Sequence, residues 1–228
     1  MTAPHWLALY GLLLGGWVAL WAWSAPTSWD TLLRDLCLST PEPQGLAATT
    51  GMWLLMSAAM MLPTAIPAFA THDDIADTQG TGGGAALVAG YALVWAGFAV
   101  AAALVQTALA TVDMPRTGPF AAVLLIAAAA YQVSPMKAAC LSKCRRPLVF
   151  FMQHWAEGPF RMGLRLGATC LGCCWALMAL GLIGGAMSLA FMALATILMT
   201  LEKLGRGPLI PVAIAIACLA GAGFLIGA

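Results

Sequence analysis

The longest stretch without a charged residue, residues 166–201, constrains the fold of this chain more than any other feature. Its thirty-six residues include no Asp, Glu, Lys or Arg, although about a quarter of the residues of an average soluble domain are charged. A helix needs about 20 apolar residues to cross a hydrocarbon core of about 30 Å. We therefore expect two membrane-crossing helices in this stretch, with a turn at Gly181, Gly184 and Gly185.

The rest of the chain also favours a membrane protein, since 62% of its residues are hydrophobic and only 8% are charged. Further apolar stretches of about crossing length occupy residues 5–23, 46–70, 85–112, 118–136 and 208–228. Together they predict an all-α fold, a polytopic transmembrane helix bundle with about seven spans. The number becomes six if the two helices of 166–201 form one re-entrant element. The whole chain, 1–228, is then a single integral membrane domain.

Two polar connections interrupt these spans. Residues 24–45 contain three prolines and four charged residues, and we expect an interfacial loop with a short helix there. Residues 137–165 contain six Lys and Arg residues and are expected to form a basic cytoplasmic loop. With seven spans, eight Lys and Arg residues fall on the side of the N-terminus and two on the opposite side. Because cytoplasmic loops are enriched in these residues, we place the N-terminus in the cytoplasm, in a bacterial cytoplasmic membrane.

Five of the seven cysteines lie within residues 134–175, in two groups with helical spacing. The first group is Met136, Cys140 and Cys144, and the second is Cys170, Cys173 and Cys174. Because residues three or four apart share one face of a helix, each group would present its sulfur atoms side by side. In the cytoplasm such thiols stay reduced, and soft sulfur ligands select copper as Cu(I). Zinc is the less favoured metal.

These spacings predict a metal site with four principal ligands and three weaker ones. The principal ligands are Cys140, Cys144, Cys173 and Cys174, and the weaker ones are Met56, Met60 and Met61 of the second span. Simpler interpretations remain open. The methionines also suit a core as flexible gap-fillers, Cys170 fits a small packing residue, and the basic cluster also suits anionic lipid headgroups. His72, with the acidic residues that follow it, is interpreted as part of a solvated loop rather than a site for a harder cation.

Four short motifs follow one another along the chain. They are Met-Met-Leu-Pro at 60–63, Pro-x-Lys-x-x-Cys-Leu-x-x-Cys-Arg at 135–145, Gly-Cys-Cys-Trp-Ala-Leu-Met at 172–178 and Leu-Glu-Lys at 201–203. With them the chain, from about residue 51 to residue 206, resembles a bacterial family of uncharacterised, predicted metal-binding integral membrane proteins. Some members of that family are labelled copper chaperones. The resemblance implies a multi-helix membrane bundle and metal binding. Met136 departs from the motif, because leucine is expected there.

Three functions are compatible with these features. The first is Cu(I) binding, delivery or metal-centre assembly; the second is a non-catalytic accessory or assembly subunit of a larger membrane complex; the third is metal transport. The sequence contains no histidine–carboxylate constellation, phosphate-binding loop or paired carboxylates, so we do not expect an enzyme. The net charge of +1 argues against nucleic acid. The expected partners are membrane lipids and either a protein of a membrane complex or a metal-accepting protein.

Overall fold

The computed structural model describes residues 3–24, 45–111, 118–182, 189–205 and 207–227. These residues form α-helices, two three-residue 3₁₀ helices (Trp155–Glu157 and Leu180–Leu182) and no strand, which confirms the all-α prediction. The α-helices are α1 (Ala3–Ser24), α2 (Leu46–Thr78), α3 (Gly84–Thr111), α4 (Pro119–Gln132), α5 (Pro135–Cys144), α6 (Pro147–His154), α7 (Pro159–Ala179), α8 (Leu189–Leu204) and α9 (Leu209–Gly227). The interfacial helix predicted in 24–45 lies outside the described residues.

Fewer helices can cross a membrane than the seven predicted. Among the described residues, four are long and apolar enough: α2, α3, α9, and α7 with its 3₁₀ extension. The pair α4 and α5, bent by 62°, makes a fifth if it forms one span. The two crossings predicted in 166–201 are not both found among the described residues, where α7 begins at Pro159, before that stretch, and α8 has 16 residues. Helix α1 has 22 residues, and its apolar stretch Trp6–Trp21 is one of the shorter apolar helices.

The bend between α4 and α5 follows from the local sequence. Pro135 lacks a backbone N–H and suits the first position of a new helix. Ser134 caps that helix, since its Oγ accepts a hydrogen bond from the Lys137 backbone N–H at 3.2 Å. A second proline, Pro147, then begins α6. The residues predicted to form a basic loop, 137–165, are therefore mostly helical and form α5, α6 and the first turns of α7.

Close packing between α3 and α7 aligns the two helices that carry Tyr91 and Cys170. A Cβ atom on Gly163 would overlap the backbone of Leu87, and one on Gly167 would lie 3.1 Å from the Tyr91 carbonyl oxygen. Since Leu87 lies beside Gly163 and Tyr91 beside Gly167, the helices run in the same direction. Small residues allow such close approach of helix backbones in lipid. The contact places Tyr91 beside Cys170, one turn further along α7.

The C-terminal end of α2 differs from the solvated acidic loop that we expected. The helix continues to Thr78, and both His72 and Asp73 are buried. The His72 ring packs against Phe151 and Trp155, with ring centroids 5.5 and 5.3 Å away. Trp6 Nε1 donates a hydrogen bond to Asp73 Oδ2 at 3.1 Å. The expectation was wrong because aromatic residues of other elements cover this polar segment, and the sequence of α2 alone does not show such a cover.

Candidate metal centre

Three buried cysteines lie on one face of α7. The Sγ atoms of Cys170, Cys173 and Cys174, here called the thiol trio, all lie within 4.8 Å of one another. The Sγ atoms of Cys173 and Cys174 are 3.2 Å apart, and Cys173 Sγ–H donates to the Cys170 carbonyl oxygen at 3.1 Å. Sulfur atoms this close together can bind one soft metal ion jointly.

The thiol trio continues the buried stripe of α7. The helix starts after Gly158, whose φ of 82° suits glycine, with Pro159 in its first position. The buried positions then recur three or four residues apart, as on the inner face of any packed helix. They include Met162, Leu166, Cys170, Cys173 and Leu177. Cys173 is fourteen residues beyond Pro159, about 21 Å along the axis at 1.5 Å per residue, so the thiols lie deep in the bundle.

Cys170 has two polar partners from other helices. Lys203 Nζ donates a hydrogen bond to Cys170 Sγ at 3.1 Å and another to Thr64 Oγ1 at 2.6 Å. The Tyr91 hydroxyl lies 3.2 Å from Cys170 Sγ and donates to the Met61 carbonyl oxygen at 3.1 Å. Tyr91 of α3 and Lys203 of α8 therefore meet at this sulfur, and both are also bonded to α2. The ammonium group provides positive charge where a thiolate would be negative, and thereby favours the thiolate form.

Of the four predicted cysteine ligands, the structure brings three together. Cys144, at the end of α5, lies with its Sγ 3.9 Å from Cys173 Sγ, so it adjoins the predicted pair Cys173 and Cys174. Cys140 is on the same helix but lies beside Gly172, where an added Cβ atom would be 2.7 Å from its Sγ. Cys140 is not part of the thiol trio. Cys170 takes the position in the cluster that the sequence had suggested for Cys140.

A buried ion pair fixes α5 against α8. Lys137 Nζ donates to both carboxylate oxygens of Glu202 at 2.8 Å, and Gln132 hydrogen-bonds to both partners. Arg145 also donates to the Glu202 carbonyl oxygen at 2.9 Å and to the Gly207 carbonyl oxygen at 3.0 Å. These bonds hold the residues next to Cys144 and Lys203, so both side chains stay near the thiol trio.

The predicted methionine ligands lie in the core of α2. Met56, Met60 and Met61 are all buried, and the backbone carbonyl of Met61 is part of the hydrogen-bond network around Cys170. Their role as sulfur ligands stays a prediction. Met136, which shares the predicted face of α5, is 59% exposed.

A small cavity of about 100 Å³ opens beside the thiol trio. Its walls include Cys144, Cys170, Tyr91, Lys203 and Arg145. Two of the four neighbouring thiols thus border the same space, together with the ammonium group. A cavity of this size exceeds the volume of one water molecule, so a small group can approach the sulfur atoms from this side.

Sequence reasoning missed three residues of this centre. Cys170 carried a usable signal, because it lies three residues before Cys173 and shares its helix face. Lys203 also had one, since it follows Glu202 at the end of a long uncharged stretch, where a charge in an apolar environment usually has a function. Tyr91 had none, because only the packing of α3 on α7 brings it to Cys170.

Residues 50–226 of the chain match the family model described as PpoB2, copper chaperone. The matched range extends from α2 into the end of α9 and includes the thiol trio, Cys144 and Lys203. No curated protein and no solved structure matches the chain.

Proposed function

Because the chain belongs to the PpoB2 copper chaperone family, we propose that it is an integral membrane protein that binds Cu(I) and delivers it to a partner protein. The copper ion is its cargo, and the role is non-enzymatic. The single observation that carries the proposal is the thiol trio, whose three buried sulfur atoms lie within 4.8 Å of one another.

The composition of the trio favours Cu(I) over other ions. It consists of sulfur ligands alone, and thiolates select soft ions such as Cu(I) over hard cations. Structural zinc almost always takes four ligands in a tetrahedron. The fourth nearby sulfur, that of Cys144, is 3.9 Å from Cys173, and we assign it to copper exchange at the cavity rather than to a closed set of four ligands. Zinc therefore stays the less favoured cargo.

Lys203 gives the site the charge that bound Cu(I) requires. Two thiolates and one Cu(I) carry a net charge of −1, and an uncompensated charge in an apolar bundle is costly. The ammonium group of Lys203, 3.1 Å from Cys170 Sγ, brings this sum to zero. We assign Cys170 as one of the two thiolates, because it is the sulfur that contacts Lys203.

Cys144 is the ligand through which copper enters or leaves the trio. It borders the cavity together with Cys170, and it is only half-buried, whereas all three thiols of the trio are buried. Copper can pass between sulfur atoms by binding the new thiolate before it leaves the old one, and the Cys144–Cys173 distance of 3.9 Å suits such a step. The methionines Met56, Met60 and Met61 stay predictions as additional ligands, whereas Cys140, whose Sγ lies beside Gly172, is not among the ligands that we assign.

The surface of the bundle supports insertion into a membrane. Four or five helices have the required length and composition, and many large apolar side chains point outward. On α9, for example, Leu209 and Phe224 are 79% and 76% exposed. A contiguous apolar exterior of this kind is unfavourable in water and suits contact with lipid. The excess of Lys and Arg around α5, α6 and the start of α7 favours a cytoplasmic position for that end of the bundle. The N-terminal helix begins at the same end, since Trp6 contacts Asp73 and the neighbouring His72 contacts Trp155.

Transport of the metal across the membrane is the second candidate. The broken pair α4 and α5 and the buried pair of Lys137 and Glu202 favour it, since interrupted helices and buried charges often line transport routes. Reconstituted proteoliposomes distinguish the two functions. A transporter moves copper into the lumen without an acceptor protein, whereas a chaperone binds copper and causes no flux.

Elemental analysis tests the proposal directly. We expect protein purified without oxygen and with its thiols reduced to retain about one copper per chain. The double variant Cys173→Ser with Cys174→Ser should lose that copper, whereas Cys218→Ser, which changes a buried cysteine of α9 outside the trio, should retain it. Equal copper in the double variant and in the wild-type protein would remove the assignment.

A further inference from the structure

A second cavity, distinct from the space beside the thiols, lies between α1, α2 and α3. This groove has a volume of about 520 Å³, which falls in the range typical of small-molecule sites. Its walls are almost entirely aliphatic or aromatic, and no charged side chain lines it. The polar residues that do line it are Ser57, Tyr91 and Trp95.

Two residues that line this groove each carry a buried polar atom with no hydrogen-bond partner among the residues that the structure describes. These atoms are Ser57 Oγ and Trp95 Nε1, and their residues are only 2% and 3% exposed. An unpaired buried donor is unfavourable, and such groups in native proteins usually have a partner. The hydroxyl group of Tyr91 is different, because the Met61 carbonyl oxygen accepts from it.

The chemistry of the two atoms defines what would satisfy them. An indole N–H donates and never accepts, and a serine hydroxyl donates as well, so both are satisfied by an acceptor oxygen. The absence of charge on the walls requires a neutral molecule. Water alone does not fit, because a largely apolar space of this size does not hold ordered water.

The position of the donors narrows the ligand further. Ser57 and Trp95 each lie eleven residues after the first residue of their helix, about 16 Å along the axis. If α2 and α3 span the membrane, this depth is within the hydrocarbon core, below the ester carbonyls of phospholipids. The aromatic rings of Tyr91 and Trp95 suit contact with a flat ring.

We propose that this groove binds a quinone-type lipid, a flat neutral ring with carbonyl acceptors and an apolar tail. The ring carbonyls accept from Trp95 Nε1 and Ser57 Oγ, and the tail lies along the aliphatic walls of α1 and α2. The site does not depend on the proposed copper function, because neither donor contacts a thiol of the trio.

Binding of decylubiquinone to the purified protein in detergent tests this site, with native mass spectrometry as the readout. We expect one molecule per chain. Trp95→Phe and Ser57→Ala should each weaken binding by roughly threefold to tenfold, the usual effect of losing one neutral hydrogen bond. Trp155→Phe and Ser142→Ala, the same substitutions outside the groove, should leave binding unchanged. Tyr91 is kept, since its hydroxyl group contacts Cys170.

A compound without carbonyl groups, n-decylbenzene, separates recognition from simple filling of an apolar space. The proposal predicts that it binds more weakly than decylubiquinone. Three results would overturn the proposal and indicate a lipid chain in the groove. They are equal binding of the two compounds, equal displacement of both compounds by dioleoylphosphatidylcholine, and an unchanged affinity for decylubiquinone in both groove variants. If Trp95→Phe does not fold, Ser57→Ala and the comparison of compounds on the wild-type protein decide. Copper content checks folding of the variants, and its loss from the wild-type protein would contradict only the copper proposal.

Discussion

The chain contains two groups of sulfur residues with almost the same helical spacing, but the sulfur atoms converge in one group and remain separate in the other. On α7, Cys170, Cys173 and Cys174 converge into one buried cluster. On α5, Cys140 and Cys144 contact different residues of α7. Cys140 lies beside Gly172, and Cys144 lies beside Cys173. The third member of that group, Met136, faces outward. Only the α7 group forms a site by itself.

The difference shows that spacing defines a helix face, whereas the neighbouring helices determine what that face meets. Helix α7 lies between α3, α5 and α8, so its inner face is enclosed. Helix α5 contacts α7 at Gly172 and Cys173, which are consecutive residues and point about 100° apart around the helix axis. The two thiols of α5 therefore meet different sides of α7, and only Cys144 meets the side with the trio.

The largest effect should come from Cys170→Ser. This variant changes the α7 group at the residue that the sequence analysis interpreted as a small packing residue. Removal of a direct thiolate ligand should lower the affinity for Cu(I) by at least about 100-fold, the upper end of what changes to outer-shell partners cause. Competition with a Cu(I) chelator of known affinity measures this. The matched change on α5, Cys140→Ser, should leave the affinity within about threefold. A similar loss in both variants would mean that the two groups are equivalent.

The next largest effect should come from Lys203→Met, which retains most of the side-chain volume and removes the charge. Because the ammonium group compensates the copper–thiolate charge, its loss should lower the affinity for Cu(I) by roughly 10- to 100-fold. Lys203→Arg, which preserves the positive charge, should recover most of the affinity in the same chelator competition. If Met and Arg have equal effects, the lysine acts through packing and the charge argument is wrong.

Much of the fold could be predicted from the sequence because long apolar helices are encoded locally. The apolar stretches predicted all-α structure and the positions of α2, α3 and α9. The division of residues 166–201 could not be predicted, because α7 begins earlier, at Pro159, where Arg161 and Arg165 had indicated a loop. The start of α7 depends on Gly158 and Pro159, and a count of charged residues along the sequence does not detect it.

The candidate site was predictable only in part, for a related reason. Cys144, Cys173 and Cys174 were identified from spacing, which is a property of single helices. The contribution of Cys170 depends on Lys203 and Tyr91, which come from two other helices. A pairwise contact between distant segments leaves little trace in one sequence, so the polar partners of Cys170 appear only once the helices are packed.

A smaller and kinetic effect is expected from Cys144→Ser, because this thiol joins the two groups. As it lies at the cavity and contacts only one member of the trio, its loss should change the affinity for Cu(I) by about threefold or less. The rate at which bound copper passes to an excess of chelator should fall by about tenfold, and stopped-flow absorbance measures that rate. Cys140→Ser again provides the control, and its rate should equal that of the wild-type protein. A large affinity loss with an unchanged rate would instead make Cys144 a permanent ligand.

The smallest effect should come from Gly172→Ala, which tests why Cys140 stays outside the cluster. The added methyl group would lie 2.7 Å from Cys140 Sγ, so α5 or the thiol must shift, at a cost of about 1 kcal/mol in the free energy of unfolding. Cys140→Ala removes that sulfur, and the double variant should therefore be more stable than the two single effects predict when added. Thermal unfolding followed by tryptophan fluorescence measures the three variants, and the affinity for Cu(I) should stay within about threefold in all of them. Additive effects on stability would show that Gly172 does not contact Cys140, and a lost affinity would place Cys140 among the copper ligands after all.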